Sequence, residues 1–371
     1  MKTPFIHISF LSVLIVSLIL LSSFPGGKGS DNRNSPAGID FLSFEQKSGS
    51  PQNLNSFAKE ETESAYKLTY GWLDYQGSIH FITFYISKKD LSDAEDEFGY
   101  YEPELEKYVE TSVSKMREEM LIHLKQFVNQ LRAKSRYSQY ILIEEVDSLN
   151  FKLKLSVPPA SYKEAKTEFE KIKAQLATEQ ESYFKKIDKE REKSRIAYLE
   201  KKGLRFVEDK VAVNYQQSVQ NNRPRVKQVF EEMLKKNENL TLQQFLALML
   251  AFIQEVMYGT PPIKEGDKVI LGFFTPPKVL VEDFGDCDSK GVAFASLWTN
   301  FKNYPLILIK IPNHMFVGLA IPSFSQEGVT INGLRYTLCE VTGPDKIPPG
   351  IITPYSQFYL QGGQLRYEMV R

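Results

Sequence analysis

A short polar turn runs directly into an apolar segment in the C-terminal half of the chain, and this junction constrains the fold more than any other feature. The turn is Gly-Asp-Cys-Asp-Ser-Lys-Gly at 285–291, and the segment 292–301 after it is apolar on nearly all sides of a helix. A helix that is apolar all round must be buried by other elements, whereas its polar start is accessible. We therefore predict a buried helix that begins near Cys287.

Three residues in chain order form a candidate catalytic set. A thiol at a helix start is a candidate nucleophile, because backbone N–H groups and the helix dipole favour the thiolate. His314 is the one histidine downstream of Cys287 and opens an apolar strand-like run, and Glu340 closes another. We predict a triad in which His314 is the general base and Glu340 orients it. The alternatives for single members are a packed cysteine, a structural histidine and a solvated carboxylate.

The second cysteine bears on this hypothesis. Cys287 and Cys339 are the only pair in the chain, and a disulfide between them would abolish the nucleophile. In a strand over 334–341, Cys339 and Glu340 point to opposite faces. If Glu340 faces the site, Cys339 faces away from it, which argues against the disulfide.

The N-terminus has the pattern of an export signal. Lys2 precedes an apolar run over 8–21 and then a Ser- and Gly-rich stretch, so we predict a signal peptide over 1–29, with an uncleaved membrane anchor as the alternative. Export predicts a periplasmic or secreted protein. Residues 30–64 are polar and predict a disordered linker.

Electrostatics exclude one class of partner. Lys plus Arg and Asp plus Glu both number 46. This balance gives no electrostatic argument for nucleic-acid binding, so we predict none. The histidines lack metal-ligand spacing, so we predict no metal and no cofactor.

Residues 65–160 predict an N-terminal α+β domain. It contains a β-hairpin over 66–86, an amphipathic helix over 103–137 and two further strands. The next segment, 161–205, is rich in Glu, Lys, Ala and Gln, with an approximate 3.5-residue apolar repeat that Gly203 ends. This long charged helix is either a coiled coil that binds an envelope protein or an antiparallel partner of the earlier helix.

Residues 206–371 predict a second domain of the α+β class. Thr241-Leu242-Gln243-Gln244 is a capping box that starts a helix continuing to Tyr258. Helices precede four strand-like runs, and helices that precede an antiparallel sheet give an α+β fold. We predict the strands at 305–312, 314–321, 334–342 and 364–370.

The core of this domain resembles the bacterial transglutaminase-like cysteine peptidases. The resemblance lies in Phe-Ile-Gln-Glu-Val-Met-Tyr at 252–258, Pro-Pro-Lys-Val-Leu at 276–280, the turn at 285–291, the run His-Met-Phe-Val-Gly-Leu at 314–319 and Leu-Cys-Glu-Val-Thr-Gly at 338–343. It covers roughly 240–345 and implies a papain-like arrangement, in which a cysteine heads a helix packed on a sheet that supplies the histidine and the acid.

Position by position, the resemblance implies Cys287 as nucleophile, His314 as base and Glu340 as orienting acid, with a longer arm than the Asp of animal transglutaminases. Gln254 matches a helix-borne amide that donates to an oxyanion, with an exposed polar position as its alternative. The implied reaction is acyl transfer on a protein or peptide substrate. Water gives a peptidase or amidase, which we favour, and a second amine gives a transglutaminase. A non-catalytic scaffold that binds an envelope partner through 161–205 is the hypothesis from another class.

Overall fold

The computed structural model of the chain describes residues 54, 56–147, 150–301, 304–321, 328–343 and 345–370. The predicted signal segment 1–29 and nearly all of the predicted linker up to residue 55 lie outside these residues. Within the described part, none of the helices has both the length and the apolar character needed to cross a membrane.

Helices and mostly antiparallel strands make up the described chain, so the predicted α+β class is confirmed. The helices are α1 (Lys88–Asp96), α2 (Glu102–Lys134), α3 (Tyr162–Lys201), α4 (Tyr215–Asn222), α5 (Lys227–Lys235), α6 (Leu242–Glu255), α7 (Pro276–Glu282), α8 (Cys287–Trp298) and α9 (Pro354–Gln361). The strands are β1 (Ser56–Glu61), β2 (Ala65–Leu73), β3 (Ile79–Ser87), β4 (Tyr100–Tyr101), β5 (Ile141–Asp147), β6 (Asn150–Leu155), β7 (Leu204–Val207), β8 (Lys210–Val213), β9 (Met257–Tyr258), β10 (Lys264–Glu265), β11 (Lys268–Val269), β12 (Phe284–Gly285), β13 (Leu306–Ile311), β14 (His314–Leu319), β15 (Gly328–Ile331), β16 (Leu334–Cys339) and β17 (Arg366–Met369).

The chain divides into two compact units, and the division differs from the predicted domains. One unit contains residues 110–192, and the other contains 47–109 together with 193–371. The strands and the helix start before residue 110 thus group with the C-terminal part of the chain. The predicted domain boundaries at 160 and 205 stay predictions.

Aromatic packing explains why the first strands join the C-terminal unit. The ring of Phe252 on α6 contacts Tyr70 at 5.2 Å and Trp72 at 5.3 Å between ring centroids. Both β2 residues are almost fully buried, and the Tyr70 hydroxyl donates to the carbonyl of Leu280 at 2.7 Å. Buried aromatic side chains contribute large apolar areas, so the β1-β2-β3 sheet shares one core with α6 and α7.

A five-stranded antiparallel sheet in the order β15-β16-β14-β13-β17 organises the C-terminal unit. The strands β13 and β14 form a hairpin in which Ile311 pairs with His314. The helix α8 packs against β14, and nearly all of its side chains are buried. This confirms the predicted buried helix and the four predicted strand positions, while β15 and α9 were not predicted.

The unit of residues 110–192 contains most of α2 and α3 and the hairpin of β5 and β6. The two helices are antiparallel, since Arg191 pairs with Glu110 and Ser135 donates to Glu168. Their contact face is apolar and consists of Met120, Leu124, Val128, Leu176, Tyr183 and Ile187. Of the two arrangements predicted for the charged helix, the structure therefore has the intrachain antiparallel one, and partner binding by 161–205 stays a prediction.

The ends of three elements can be compared with the sequence predictions: one agrees, and two differ because strand pairing replaces the predicted local structure. Gly203 ends α3 with a φ of +68°, as predicted. Residues 56–61 form a strand paired with β2 instead of the predicted linker, because backbone pairing does not need apolar side chains. The helix α6 ends at Glu255 and not at Tyr258, because Tyr258 pairs with Gly285 in a parallel strand contact.

Candidate active site

The start of α8 has the local structure that its sequence predicts. Asp286 is the N-cap, and its carboxylate accepts the backbone N–H of Ser289 at 2.9 Å. Cys287 is the first helical residue, so its own N–H lies among the first-turn groups that have no partner inside the helix. The thiol therefore lies at the positive end of a buried helix.

A glycine brings this helix close to the sheet. A Cβ added to Gly291 would lie 3.2 Å from Sδ of Met315 and 3.8 Å from Val341, so any larger residue here would require the Met315 side chain to shift by a few tenths of an ångström. Cys287 lies four residues before Gly291 and therefore on the same face of the helix. The backbone N–H of Met315 acts on the pKa of the thiol and lowers it, against the larger effect of burial, so the thiol lies near the first residues of β14.

His314 and Glu340 form a short polar contact in the candidate site. His314 Nε2 lies 2.6 Å from Glu340 Oε2, and both side chains are buried. A carboxylate accepts but does not donate, so Nε2 carries the proton of the neutral ring. The other nitrogen, Nδ1, then holds the lone pair that a general base needs.

The N-terminus of α9 holds the second oxygen of Glu340. Oε1 accepts from Ser356 Oγ at 2.5 Å, from the N–H of Thr353 at 3.2 Å and from its hydroxyl at 3.3 Å. Burial alone would raise the pKa of this carboxyl, but His314, Ser356 and the Thr353 N–H bring the pKa below its usual value. Glu340 is thus held as a buried carboxylate of fixed orientation.

The Cys287 thiol is in an environment that favours its protonated form. It donates to Asp288 Oδ1 at 3.6 Å. Burial raises the pKa of Cys287 well above its ordinary value, and the carboxylates of Asp288 and Asp286 raise it further. In the described part of the chain, the hydrogen bond of the thiol goes to Asp288 and not to His314. This environment therefore favours the neutral thiol, and proton transfer to His314 requires that the thiol exchange its hydrogen bond to Asp288.

Two residues from other elements hold the Asp288 carboxylate. The Tyr215 hydroxyl donates to Oδ2, and Lys310 Nζ lies 3.5 Å from the same oxygen. Lys310 also donates to the Tyr215 hydroxyl at 2.8 Å. Burial and Asp288 together raise the pKa of Tyr215, so the phenol stays protonated. This network keeps a negative charge next to the sulfur.

Gln254 donates to the backbone of Glu340, and both N–H groups of its side-chain amide already have hydrogen-bond acceptors within the protein. Its Nε2 donates to the backbone carbonyls of Glu340 at 2.7 Å and Ile347 at 2.8 Å, and its Oε1 accepts from Tyr75 at 3.0 Å. An amide nitrogen has two N–H donors, and both are engaged. Gln254 therefore has no donor left for an oxyanion in this conformation, and the alternative of an exposed position is also wrong because the side chain is fully buried.

The two cysteines are free, so no disulfide removes the thiol of Cys287. Cys339 is fully buried in the apolar core. On β16, Cys339 pairs with Val317 of the neighbouring strand β14. Among the residues that the structure describes, no group of three or more His, Cys, Asp or Glu side chains is arranged to hold a metal ion.

Several residues of the site were not predicted. Thr353 and Ser356 are in a Thr-Pro-Tyr-Ser helix start, a local signal that could have identified α9. Tyr258 is more than half exposed, and its pKa is raised by partial burial and then by nearby Cys287, Asp286 and Asp288. Tyr215 has no comparable sequence signal, because its contact with Asp288 joins residues 73 positions apart.

Comparisons with protein-family models, with curated proteins and with solved structures return no match to this chain.

Proposed function

We propose that the protein is an exported cysteine peptidase or amidase with a transglutaminase-like fold, in which Cys287, His314 and Glu340 act as a triad. The observation that carries the proposal is the 2.6 Å contact between His314 Nε2 and Glu340 Oε2, made at the first residue of β14, the strand against which the Cys287 helix α8 packs. A carboxylate–imidazole pair next to a thiol is the arrangement that activates a nucleophile.

Proton transfer begins the proposed reaction. His314 Nδ1 takes the proton of the Cys287 thiol, and Glu340 stabilises the imidazolium that forms. Because burial, Asp288 and Asp286 oppose the free thiolate, the thiolate forms as the substrate is attacked. The proposed mechanism therefore differs from one in which a thiolate–imidazolium ion pair exists before the substrate binds.

Bond making and breaking follow in two stages. The sulfur attacks the amide carbonyl carbon, and the carbonyl oxygen gains the negative charge. The first-turn N–H of Cys287 can donate a hydrogen bond to this oxygen. The imidazolium then protonates the leaving amine, and a thioester remains on Cys287. Water attacks the thioester in a peptidase, with His314 again as base, and releases the acid and the free thiol.

Thiol alkylation tests the proposal. Iodoacetamide at neutral pH is expected to modify Cys287 faster than the fully buried Cys339, and His314→Ala is expected to slow the modification of Cys287 by at least about tenfold. His123→Ala removes an exposed histidine of the other unit and should leave the rate unchanged. Equal rates in wild type and His314→Ala would contradict activation and would leave the non-catalytic scaffold as the better hypothesis.

Product analysis separates hydrolysis from amine transfer. Wild type and Cys287→Ala are incubated with envelope protein extract in water and with a primary amine present. Cleaved products that carry a new carboxyl group support the peptidase. Products that contain the added amine support the transglutaminase alternative.

A further inference from the structure

A groove of about 830 Å³ opens beside the start of α8, between the hairpin of β7 and β8 and the strands β13 and β17. Two of its lining residues, Tyr215 and Lys310, also hold Asp288, the residue next to Cys287. A ligand in this groove would therefore contact the two residues that hold Asp288, the neighbour of Cys287 in the sequence. Its volume is in the range of ligand sites in proteins.

Two cations lie directly opposite each other in this groove. Lys310 on β13 pairs in register with Arg366 on β17, and both residues line the groove. Like charges opposite each other on adjacent strands destabilise a sheet. An anion bound near both would remove that cost.

The acidic partners of these two cations hold them weakly. Arg366 pairs with Glu208 at 3.0 Å, but both side chains are about 70% exposed, at 72% and 70%, and ion pairs this exposed add little free energy. Lys310 lies 3.5 Å from Asp288 and keeps a side chain that is 42% exposed. By contrast, the groove cation Arg205 is held by Glu368, which also accepts the Gln216 N–H at 3.1 Å.

The rest of the groove wall has apolar character. Val207, Val213, Ile311, Leu365 and Tyr367 line it. A ligand that matches both the two cations and the apolar wall has a carboxylate and an apolar body. A peptide with an acidic side chain or a free C-terminal carboxylate has this chemistry.

We infer that this groove binds a carboxylate carried by a peptide, with Arg366 and Lys310 as its cationic contacts. Glu208, a carboxylate of the protein itself, occupies Arg366 when no peptide is bound and is displaced by the ligand. Peptide binding does not require the triad. The inference rests on the proposed function at one point, which is that the bound peptide is the acyl donor for Cys287.

Peptide retention tests the inference on the full chain. Immobilised Cys287→Ala protein is exposed to N-acetylated random hexapeptides, half with a C-terminal amide and half with a free acid, and the retained peptides are sequenced by mass spectrometry. Among the amidated peptides, Glu and Asp are expected to be enriched about fivefold over Gln and Asn, with less enrichment at high salt. Enrichment of the free acids alone would identify the C-terminal carboxylate as the ligand group.

Variants of Arg366 give the sharpest comparison, since this exposed arginine does not touch Asp288. Arg366→Gln is expected to abolish the acidic preference, and Arg366→Glu to invert it toward Lys and Arg. Arg335→Gln alters an exposed arginine on β16 of the same sheet and should keep the wild-type preference. No retention, retention independent of charge, or an acidic preference that survives in Arg366→Gln would overturn the inference. Acidic retention without activated alkylation of Cys287 would overturn only the proposed function.

Discussion

Gln254 and Glu340 are joined by a hydrogen bond of 2.7 Å from the side-chain amide of Gln254 to the backbone carbonyl of Glu340. A helix that begins with a capping box thus holds the strand end that carries the candidate orienting acid. The same amide holds Ile347, so one buried side chain fixes the backbone on both sides of residues 341–346. Gln254 is therefore a positioning residue of the site.

Replacing Gln254 by Met is expected to destabilise the protein by about 2–4 kcal/mol, because the carbonyls of Glu340 and Ile347 would remain buried without this donor. Urea unfolding measures the change in the free energy of unfolding. Gln243→Met on the first turn of the same helix is the matched control and should change stability little. An unchanged urea midpoint in Gln254→Met would mean that the amide does not fix the backbone.

Replacing Glu340 by Gln is expected to slow the alkylation of Cys287 by about ten- to a hundredfold. The amide is the same size as the carboxylate, but it lacks the charge that stabilises the His314 imidazolium. The iodoacetamide rate at neutral pH measures this loss. Glu282→Gln, a change at an exposed carboxylate of α7, is the control, and a Glu340→Gln rate equal to that of the control would rule out the orienting role.

Glu340→Gln also predicts a change in acid stability. The pKa of Glu340 is lowered in the folded state, so the unfolded chain binds its proton first as pH falls. Stability from this group is full above the ordinary pKa of 4.5 and is lost as pH falls through the lower folded value. Urea midpoints between pH 5 and pH 3 should therefore fall less steeply in Glu340→Gln than in wild type.

Local patterns predicted the parts of the site that lie within one element. The polar turn at 285–291 and the apolar segment after it located the start of α8, and the capping box at Thr241 located the start of α6. Both signals act over a single helical turn. The order of Cys287, His314 and Glu340 was also visible, because each lies at one boundary of an apolar run.

Contacts between distant segments account for what was not predicted. Tyr258 continues the helical spacing of α6, but pairing with Gly285 makes it part of a strand. The donors of Glu340 come from Thr353 and Ser356, which reach it only when α9 folds back onto the sheet. The engagement of Gln254 also depends on carbonyls more than 80 residues away. A local pattern carries no information about such contacts.

Replacing Asp288 by Asn is expected to raise the alkylation rate of Cys287 at neutral pH by roughly three- to tenfold. The change removes a negative charge beside the sulfur and so lowers the pKa of the thiol, while burial, the larger cause, still holds that pKa above its usual value. The rate of alkylation against pH measures the shift in a Cys339→Ala background. A rate equal to that of the background protein would show that the Asp288 charge does not act on the thiol.

Replacing Lys290 by Met is expected to change how stability depends on alkaline pH. Lys290 is fully buried and donates to the carbonyl of Val256 at 2.5 Å. Burial, and after it the charge of Lys346, lower the pKa of Lys290 to about 7, although Asp283 and Glu255 act in the opposite direction. Between pH 7 and the ordinary value of 10.5 the unfolded chain therefore keeps a proton that the folded chain has lost. Wild-type stability from this group rises with pH over that window, by up to about 1.4 kcal/mol per pH unit.

Urea unfolding at pH 7 and at pH 9.5 measures this slope, and Lys290→Met should lose the rise that wild type shows. The slope is the informative quantity, because the substitution also leaves the Val256 carbonyl without its donor and so shifts stability at every pH. Lys264→Met removes an exposed lysine and should keep the wild-type slope. If Lys290→Met and wild type gained the same stability between the two pH values, Lys290 would not titrate within this window. Its contribution to stability would then come from its hydrogen bond to the Val256 carbonyl.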